Sequence, residues 1–494
     1  MALVVDGGAF PVLGGELGNS IAADRPAMRK LWADLKVAGL NTVLLPAYWE
    51  QLEPEEGRFD FSWIDEDVKA ARREGLKIVF LWFGTWKNSM SCYAPAWVKL
   101  DQARFPRMMD EKGNKQDVLS AHGEETLAAD IRAFKALMAR IARIDAGRGT
   151  VLMVQVENEM GSIPCARDHS PLADKAWREP LPQAVRAFLG TRRHASTWAD
   201  AARSLKGARL AAVEEMFTAW HLARYAEAVA KAGKEVHPLP LFVNAALPRE
   251  GDLPGQYPSG GPLPHLAGIW KLAAPSIDML CPDIYGPDFE ARCGDYAVAG
   301  NPLFIPEHRC DASVGAKALY AFGEKAAIGF SPFAIEKASP AAAEALKGAY
   351  ALIDEISPLL DPAEGRIEEP PRAALALGGK KEYRLEFDGI VARVGHERTL
   401  PWNAEAAQGE WPAAAVIVLR TGPMEFIVAG TGAYVEFATP RGKPFALLGV
   451  DRGRIQDGEF VPVHRLNGDE THQGRHVRTP TGSYWIQRAR IYPL

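Results

Sequence analysis

The chain has 494 residues, 47% of them hydrophobic and 24% charged, with a formal net charge of -5. A chain of this length holds a large domain plus a smaller one, its balance is ordinary for a soluble globular protein, and the lack of a basic field argues against a nucleic-acid partner. No apolar run of about 18 residues is present, which excludes a transmembrane helix, and the five cysteines (Cys92, Cys165, Cys281, Cys293 and Cys310) contain no CxxC pair and read as free thiols, which excludes a disulfide framework and a zinc site.

The N-terminus, Met1 to Gly8, lacks a basic n-region and a long apolar core, so it does not read as a signal peptide. The expectation is a cytoplasmic protein, or a periplasmic or secreted one if a leader has been removed. Val12 to Leu17 is a first short strand. Asp24 then caps a helix that closes at Gly39, with Pro26 in its first turn. Met28, Leu31, Trp32, Leu35 and Ala38 form one apolar face at helical spacing. Asn41 to Pro46 is the second strand, Ser62 caps a helix to Gly75, and Lys77 to Phe83 is the third strand. A helix from Gly123 to Asp145 leads to Val151-Leu152-Met153-Val154-Gln155-Val156, a near-continuous apolar run of the kind a buried parallel strand presents. It stops abruptly at Glu157-Asn158-Glu159-Met160-Gly161. The segment from Ser162 to Leu210 is long for a connection and contains Arg167, Asp168 and His169, which serve either as a lid over a substrate or as a loop-stabilising ion pair.

A helix from Val213 to Gly233 precedes the fifth strand, Leu241 to Asn244. The sixth is Ile277 to Tyr285, the seventh, Pro302 to Pro306, ends in Glu307, and the eighth is Ala327 to Ile335, followed by an Ala-rich helix to Ile356. Eight strands alternating with helices predict an α/β fold, a (β/α)8 TIM barrel over residues 1–360. Pro362, Pro370 and Pro371 mark a linker, and five short β runs from Tyr383 onward predict a smaller all-β sandwich domain over 361–494. Two carboxylates, Glu159 and Glu307, on different strand tips of one barrel are the minimal equipment for hydrolysing a glycosidic bond. The 13 Trp residues suit sugar rings as flat platforms.

Trp49-Glu50 with Glu53-Pro54-Glu55-Glu56-Gly57-Arg58-Phe59-Asp60-Phe61 resembles the segment after the second strand in glycoside hydrolase families 35 and 42. Gln155-Val156-Glu157-Asn158-Glu159-Met160-Gly161 is similar to the Gln-(Ile/Val)-Glu-Asn-Glu-(Tyr/Met)-Gly signature of family 35 β-galactosidases. The bacterial branch with an extra C-terminal β domain of unassigned function fits best, through the loops Leu81 to Asn88 and Leu466 to His472, and the resemblance covers nearly the whole chain. It implies that Glu159 is the general acid/base, that Glu307 is the nucleophile and that Asn158 hydrogen-bonds the sugar 2-hydroxyl. Better-known members place a carboxylate in the loop after the third strand to hold the galactose ring. Here that loop offers Trp86, Lys87 and Asn88, which leaves the sugar open and the chemistry in place.

The expected chemistry is double displacement, with two carboxyl groups about 5 Å apart across the anomeric carbon and no metal or organic cofactor. Arg309 is a candidate cation to keep Glu307 ionised. The substrate-binding candidates are Asn158, Tyr48, Trp49, Trp86, Asn88, Asn244 and Tyr285, the aromatics among them being core or sugar platform with equal weight. Glu157 reads as structural, pairing with a basic residue, Asp283 as a tie between loop ends, and His472 and His476 as an H-x3-H spacing without a helix to make it a metal site. The resemblance points to an exo-acting retaining hydrolase that removes terminal β-D-galactose from plant cell-wall oligosaccharides such as galactosylated xyloglucan fragments. The alternatives are a β-glucosidase, an α-L-arabinopyranosidase or a transglycosylase with the same two glutamates, and a non-catalytic carbohydrate-binding barrel. The expected partner is a small-molecule carbohydrate, with a homodimer left open and no membrane.

Overall fold

The computed structural model describes residues 3–361, 365–376, 381–400, 402 and 411–494; Pro362 of the linker lies outside them. The eight apolar runs become eight strands: β1 (Val12–Glu16), β2 (Thr42–Tyr48), β3 (Lys77–Phe83), β4 (Val151–Gln155), β5 (Leu241–Ala246), β6 (Met279–Ile284), β7 (Phe304–His308) and β8 (Gly329–Pro332). They close into a barrel in which each strand lies beside the next in sequence. Helices alternate with them: α1 (Arg25–Val37), α2 (Ser62–Arg73), α3 (Glu124–Ile144), α4 (Ala208–Val236), α5 (Ala267–Ala273), α6 (Phe289–Tyr296), α7 (Val314–Lys325) and α8 (Pro340–Ile356). Every residue of β2 and β4 is buried, as expected of parallel strands covered on both faces.

Start signals act locally as their chemistry dictates. Asp24 Oδ1 accepts the Ala27 N–H at 3.1 Å, and Ser339 takes the Ala342 N–H with Pro340 in the first turn of α8. At α2 the capping expectation is corrected: Asp60, not Ser62, supplies the oxygen, accepting the Ser62 N–H at 2.8 Å. The long connection after β4 has a small core of its own, in which Trp177, Leu181, Val185, Leu189 and Trp198 pack on Phe217 of α4.

The chain forms two compact units, Gly14–Ala33 with Asn41–His308, and Met1–Leu13 with Asp34–Leu40 and Arg309–Leu494. The strand tips from Glu16 to His308 belong to the first of these. The second holds β8, α7, α8 and ten further strands: β9 (Arg372–Ala376), β10 (Tyr383–Phe387), β11 (Ile390–His396), β12 (Ala414–Gly422), β13 (Glu425–Thr431), β14 (Ala433–Ala438), β15 (Phe445–Gln456), β16 (Glu459–Arg465), β17 (Val477–Thr479) and β18 (Trp485–Pro493). A six-stranded sheet in the order β9-β12-β13-β18-β15-β16 and a four-stranded sheet in the order β10-β11-β14-β17 enclose one apolar core. At its centre Phe426 meets Phe387 edge-on at 5.4 Å and Phe437 at 4.7 Å. Five of these strands escape the β-run reading. β16, for example, carries a proline and is almost wholly exposed, so it shows no alternation of apolar and polar residues. Among the described residues no helix is long and apolar enough to cross a membrane.

Within this unit the ring of Tyr484 lies flat on Gly348 of α8, and its hydroxyl donates to the Ala345 carbonyl at 2.7 Å. A Cβ at position 348 would sit 2.3 Å from a ring carbon. In an open helix Gly→Ala gains roughly 1 kcal/mol. Here Gly348→Ala is expected to lose about 1–3 kcal/mol through overpacking, read as a fall in the thermal midpoint; an unchanged or raised midpoint would show that Tyr484 moves freely.

Candidate active site

The end of β4 is the structural centre of the site. Glu157 and Glu159 both adopt left-handed backbone, with φ of 59° and 45°, on either side of Asn158. Such conformations cost a non-glycine residue of order 1–3 kcal/mol and persist only where neighbours over-determine them. Here the Asn158 N–H donates to the Trp86 carbonyl at 3.2 Å, the Glu159 N–H donates to Asn244 Oδ1 at 3.0 Å, and Ser89 Oγ donates to the Glu159 carbonyl at 2.9 Å. Two residues on, Gly161 passes so close to Pro258 that a Cβ would lie 2.5 Å from its backbone carbon, which is why the motif ends in glycine.

The other acids come from β6 and β7. These strands are paired in parallel with Asp283 opposite Glu307, so alike side chains stand next to one another at the same height. One carboxylate oxygen each from Glu159, Asp283 and Glu307 lies within 4.8 Å of the others, and all three residues are buried. Tyr285 donates its hydroxyl to Glu307 Oε1. Asn88 Nδ2 donates to Glu159 Oε2 at 2.8 Å, and Asn244 Nδ2 donates to Asp283 Oδ2 at 2.7 Å.

Crowding of like charges in a dry place raises carboxyl pKa values. Burial pushes Glu307 up to about 7, the facing Glu159 adds to the rise, and Lys87 and the Tyr285 hydroxyl oppose it. Asp283 is driven well above the carboxylate range by burial and by Glu307, Glu159 and Glu16. Burial and the Glu307 carboxylate raise the Tyr285 phenol, so it remains a donor.

Of the candidates read from sequence, the structure gathers Glu159, Glu307, Asn158, Asn88, Asn244 and Tyr285 at one barrel mouth. It places two of the aromatics in the core. The Trp49 ring is fully buried, with its indole N–H on Glu53 Oε2 at 2.8 Å and Trp82 and Trp97 around it. Tyr48 is buried, stacked on Tyr93, with its hydroxyl donating to the Asn19 carbonyl at 2.6 Å. Trp86 is edge-on to Tyr225 and lines a small cavity with His122, Asp168 and His221, so core and platform both remain open for its ring.

Four further readings are revised or resolved. Arg309 is exposed; the cation acting on Glu307 is Lys87, which is 3% exposed. Among the described residues Glu157 has no basic partner: its Oε2 accepts the Trp86 N–H at 2.7 Å, and its neighbouring acid is Asp130, which accepts from Trp82, Thr85 and Tyr225. Arg167 pairs with Asp174 at 2.8 Å, and Asp168 accepts from the Met109 and Ser170 N–H groups, so this stretch is a loop brace. His472 and His476 stand with ring centroids 4.8 Å apart, but among the described residues the group suited to a metal ion is Glu159, Asp283 and Glu307. Lys87, Glu16 and the full weight of Asp283 were missed by sequence reasoning. Only the departure of the Lys87 loop from the family pattern hinted at the first.

Three carboxyls that crowd one another, one of them driven towards neutrality, with amide donors on their flanks, can donate a proton and present a carboxylate to the same small volume. Residues 23–206 match the model of glycoside hydrolase family 42, described as "Beta-galactosidase", and residues 346–478 match a "Domain of unknown function (DUF5597)". The chain is 30% identical over 154 residues to a β-galactosidase of Xanthomonas manihotis, covering 30% of this chain and 23% of that protein. It is 28% identical over 177 residues to β-galactosidase-1-like protein 3 of Homo sapiens, covering 35% and 25%. The chain therefore spans about a quarter of the length of these relatives. The crystal structure of β-galactosidase from the psychrophilic Marinomonas ef1 shares the fold, with a TM-score of 0.51 at 13% identity over 70% of this chain and 59% of that one. The barrel is thus β-galactosidase-like in sequence over its first half and in fold.

The Glu157 environment yields a stability prediction. Its carboxyl is raised far above the ordinary value by burial and by Asp130, so the folded state keeps a proton that the unfolded chain releases above the ordinary glutamate pKa of about 4.3. Its contribution to stability therefore falls as pH rises above that value, by up to about 1.4 kcal/mol per unit. Glu157→Gln mimics the protonated acid and is expected to match the parent at pH 5 and to exceed it in thermal midpoint at pH 8. A variant less stable than the parent at pH 8 would mean that Glu157 is buried as the anion.

Proposed function

We propose that this protein is an exo-acting retaining glycoside hydrolase that removes terminal β-D-galactose by double displacement, acting on plant cell-wall oligosaccharides such as galactosylated xyloglucan fragments in polysaccharide degradation. The observation that carries the reading is the approach of Glu159 and Glu307 to within 4.8 Å. Retaining enzymes hold their carboxyls about 5–5.5 Å apart, whereas inverting ones leave roughly 6.5–9.5 Å for a water. Glu307, kept in place by Tyr285, attacks the anomeric carbon. Glu159, gripped by Asn88, protonates the departing oxygen, then takes a proton from the water that cleaves the glycosyl ester. Asn158 donates to the sugar 2-hydroxyl.

Galactose is favoured by the names of the similar proteins and by the resemblance of Gln155 to Gly161 to the family 35 signature, although the matching family model is that of family 42. A β-glucoside or α-L-arabinopyranoside would use the same two glutamates. The β strands after the barrel belong, on this reading, to a separate sandwich domain over 361–494.

Hydrolysis of a panel of p-nitrophenyl glycosides tests the reading. The β-galactoside is expected to be cleaved by the parent and to lose turnover in both Glu159→Ala and Glu307→Ala, with azide rescuing the latter as the α-galactosyl azide. Preference for another sugar would overturn galactose and leave the mechanism, and undiminished turnover in Glu307→Ala would overturn both. The acid limb of kcat/KM should follow Glu307, with activity falling below a pH of about 7 as its carboxylate takes up a proton. A limb near 4 would show a nucleophile unaffected by its neighbours.

A further inference from the structure

The loop after β3 makes a tight turn in which the Lys87 N–H donates to the Met90 carbonyl at 2.8 Å and the Met90 N–H returns to Lys87 at 3.0 Å. Both central residues, Asn88 and Ser89, are left-handed at φ of 51° and 58°. Type I′ turns of this kind ordinarily draw Asn-Gly or Gly-Gly, so serine at the second place is held there by its surroundings. The surroundings are the tip of β4. Ser89 reaches the Glu159 carbonyl, Asn88 reaches the Glu159 carboxylate, and Lys87 Nζ donates to Asn158 Oδ1 at 3.0 Å, where the Asn88 N–H also points at 3.4 Å.

A buried lysine is rare unless paired. Lys87 is 3% exposed, with Nζ 5.0 Å above the Phe83 ring and an amide oxygen as its hydrogen-bond acceptor. An amide oxygen has two lone pairs, and both on Asn158 are addressed by donors. Turning the amide over would bring its NH2 against an ammonium and a backbone N–H. The Asn158 Nδ2 group is therefore turned away from Lys87 and the Asn88 N–H, and among the described residues it is buried with no hydrogen-bond partner. It is a donor held in reserve for a ligand oxygen.

We propose that Lys87 is a positioning residue that locks the Asn158 amide with its NH2 free to donate to a ligand oxygen. The inference rests on the proposed function for the identity of the ligand. Lys87 is held to this task by its burial, with Nζ over the Phe83 ring.

The test separates this role from the functional reading by using a probe that needs no turnover. In the full chain carrying 15N-labelled asparagine, the Asn158 side-chain amide is assigned by its loss in Asn158→Asp and compared in the parent, Lys87→Met and Lys87→Arg. Its NH2 signals are expected to move in Lys87→Met and to stay near those of the parent in Lys87→Arg. Unmoved signals in a folded Lys87→Met overturn the lock. For the amide, kcat/KM is compared between the glycoside that the parent cleaves and its 2-deoxy analogue. Lys87→Met should shrink the parent's preference for the 2-hydroxyl at least tenfold, whereas an equal loss on both substrates assigns Lys87 a merely structural role. Failure of the parent to cleave any glycoside would sink the functional reading and leave the Asn158 amide signals to decide the inference.

Discussion

Bringing three carboxyl groups within 4.8 Å of one another in a buried place is the constraint on which the rest of the site depends. Left alone, such a cluster would neutralise itself, because desolvation and mutual repulsion both favour the protonated forms. The structure answers unevenly. Asp283 lies where burial and three acids act on it together, and it gives up its charge. Glu307 receives a phenol from Tyr285 and the field of Lys87, which restrain its rise. Glu159 is gripped by an amide. Asp283 and Glu307, which stand side by side on neighbouring strands, are thereby made inequivalent.

This differentiation is held from behind. Asp130 accepts from Trp82, Thr85 and Tyr225, and Glu157 beside it receives the Trp86 N–H. The β3 loop is therefore anchored on its outer side by one pair of acids while its inner side touches Asn158 and Glu159. The closeness is severe enough that a Cβ on Gly84 would lie 2.2 Å from the Trp82 indole nitrogen and 2.9 Å from Glu157 Oε1. The strained backbone at Glu157 and Glu159 is maintained by this double attachment, and the tip of β4 and the loop after β3 form one mechanical piece.

The barrel was legible because its strands are buried on both faces and read as apolar runs, and because Glu159 and Glu307 end two of them abruptly. The aromatics were not legible: Tyr48 and Trp49 sit at strand ends, where the same residue serves core or ligand, and only the side-chain hydrogen bonds to Asn19 and Glu53 decide. Lys87 was hidden for the opposite reason, since a lysine in a loop is read as solvated and its burial depends on where the β4 tip stands. Arg309 looked useful from its place two residues after Glu307, but β7 ends at His308 and Arg309 lies beyond it, exposed. Among the later strands, β12 to β14 showed in the sequence because their cores are apolar, whereas β15 and β16 are interrupted by glycine, proline and charge.

The central claim is that the close pair Glu159 and Glu307 makes and breaks a covalent glycosyl ester. The most direct measurement is proton NMR of the sugar released in the first minutes from a β-galactoside, before mutarotation. The account predicts that the β anomer appears first and the α anomer grows in later. Initial release of the α anomer would mean a single displacement by water and would contradict it.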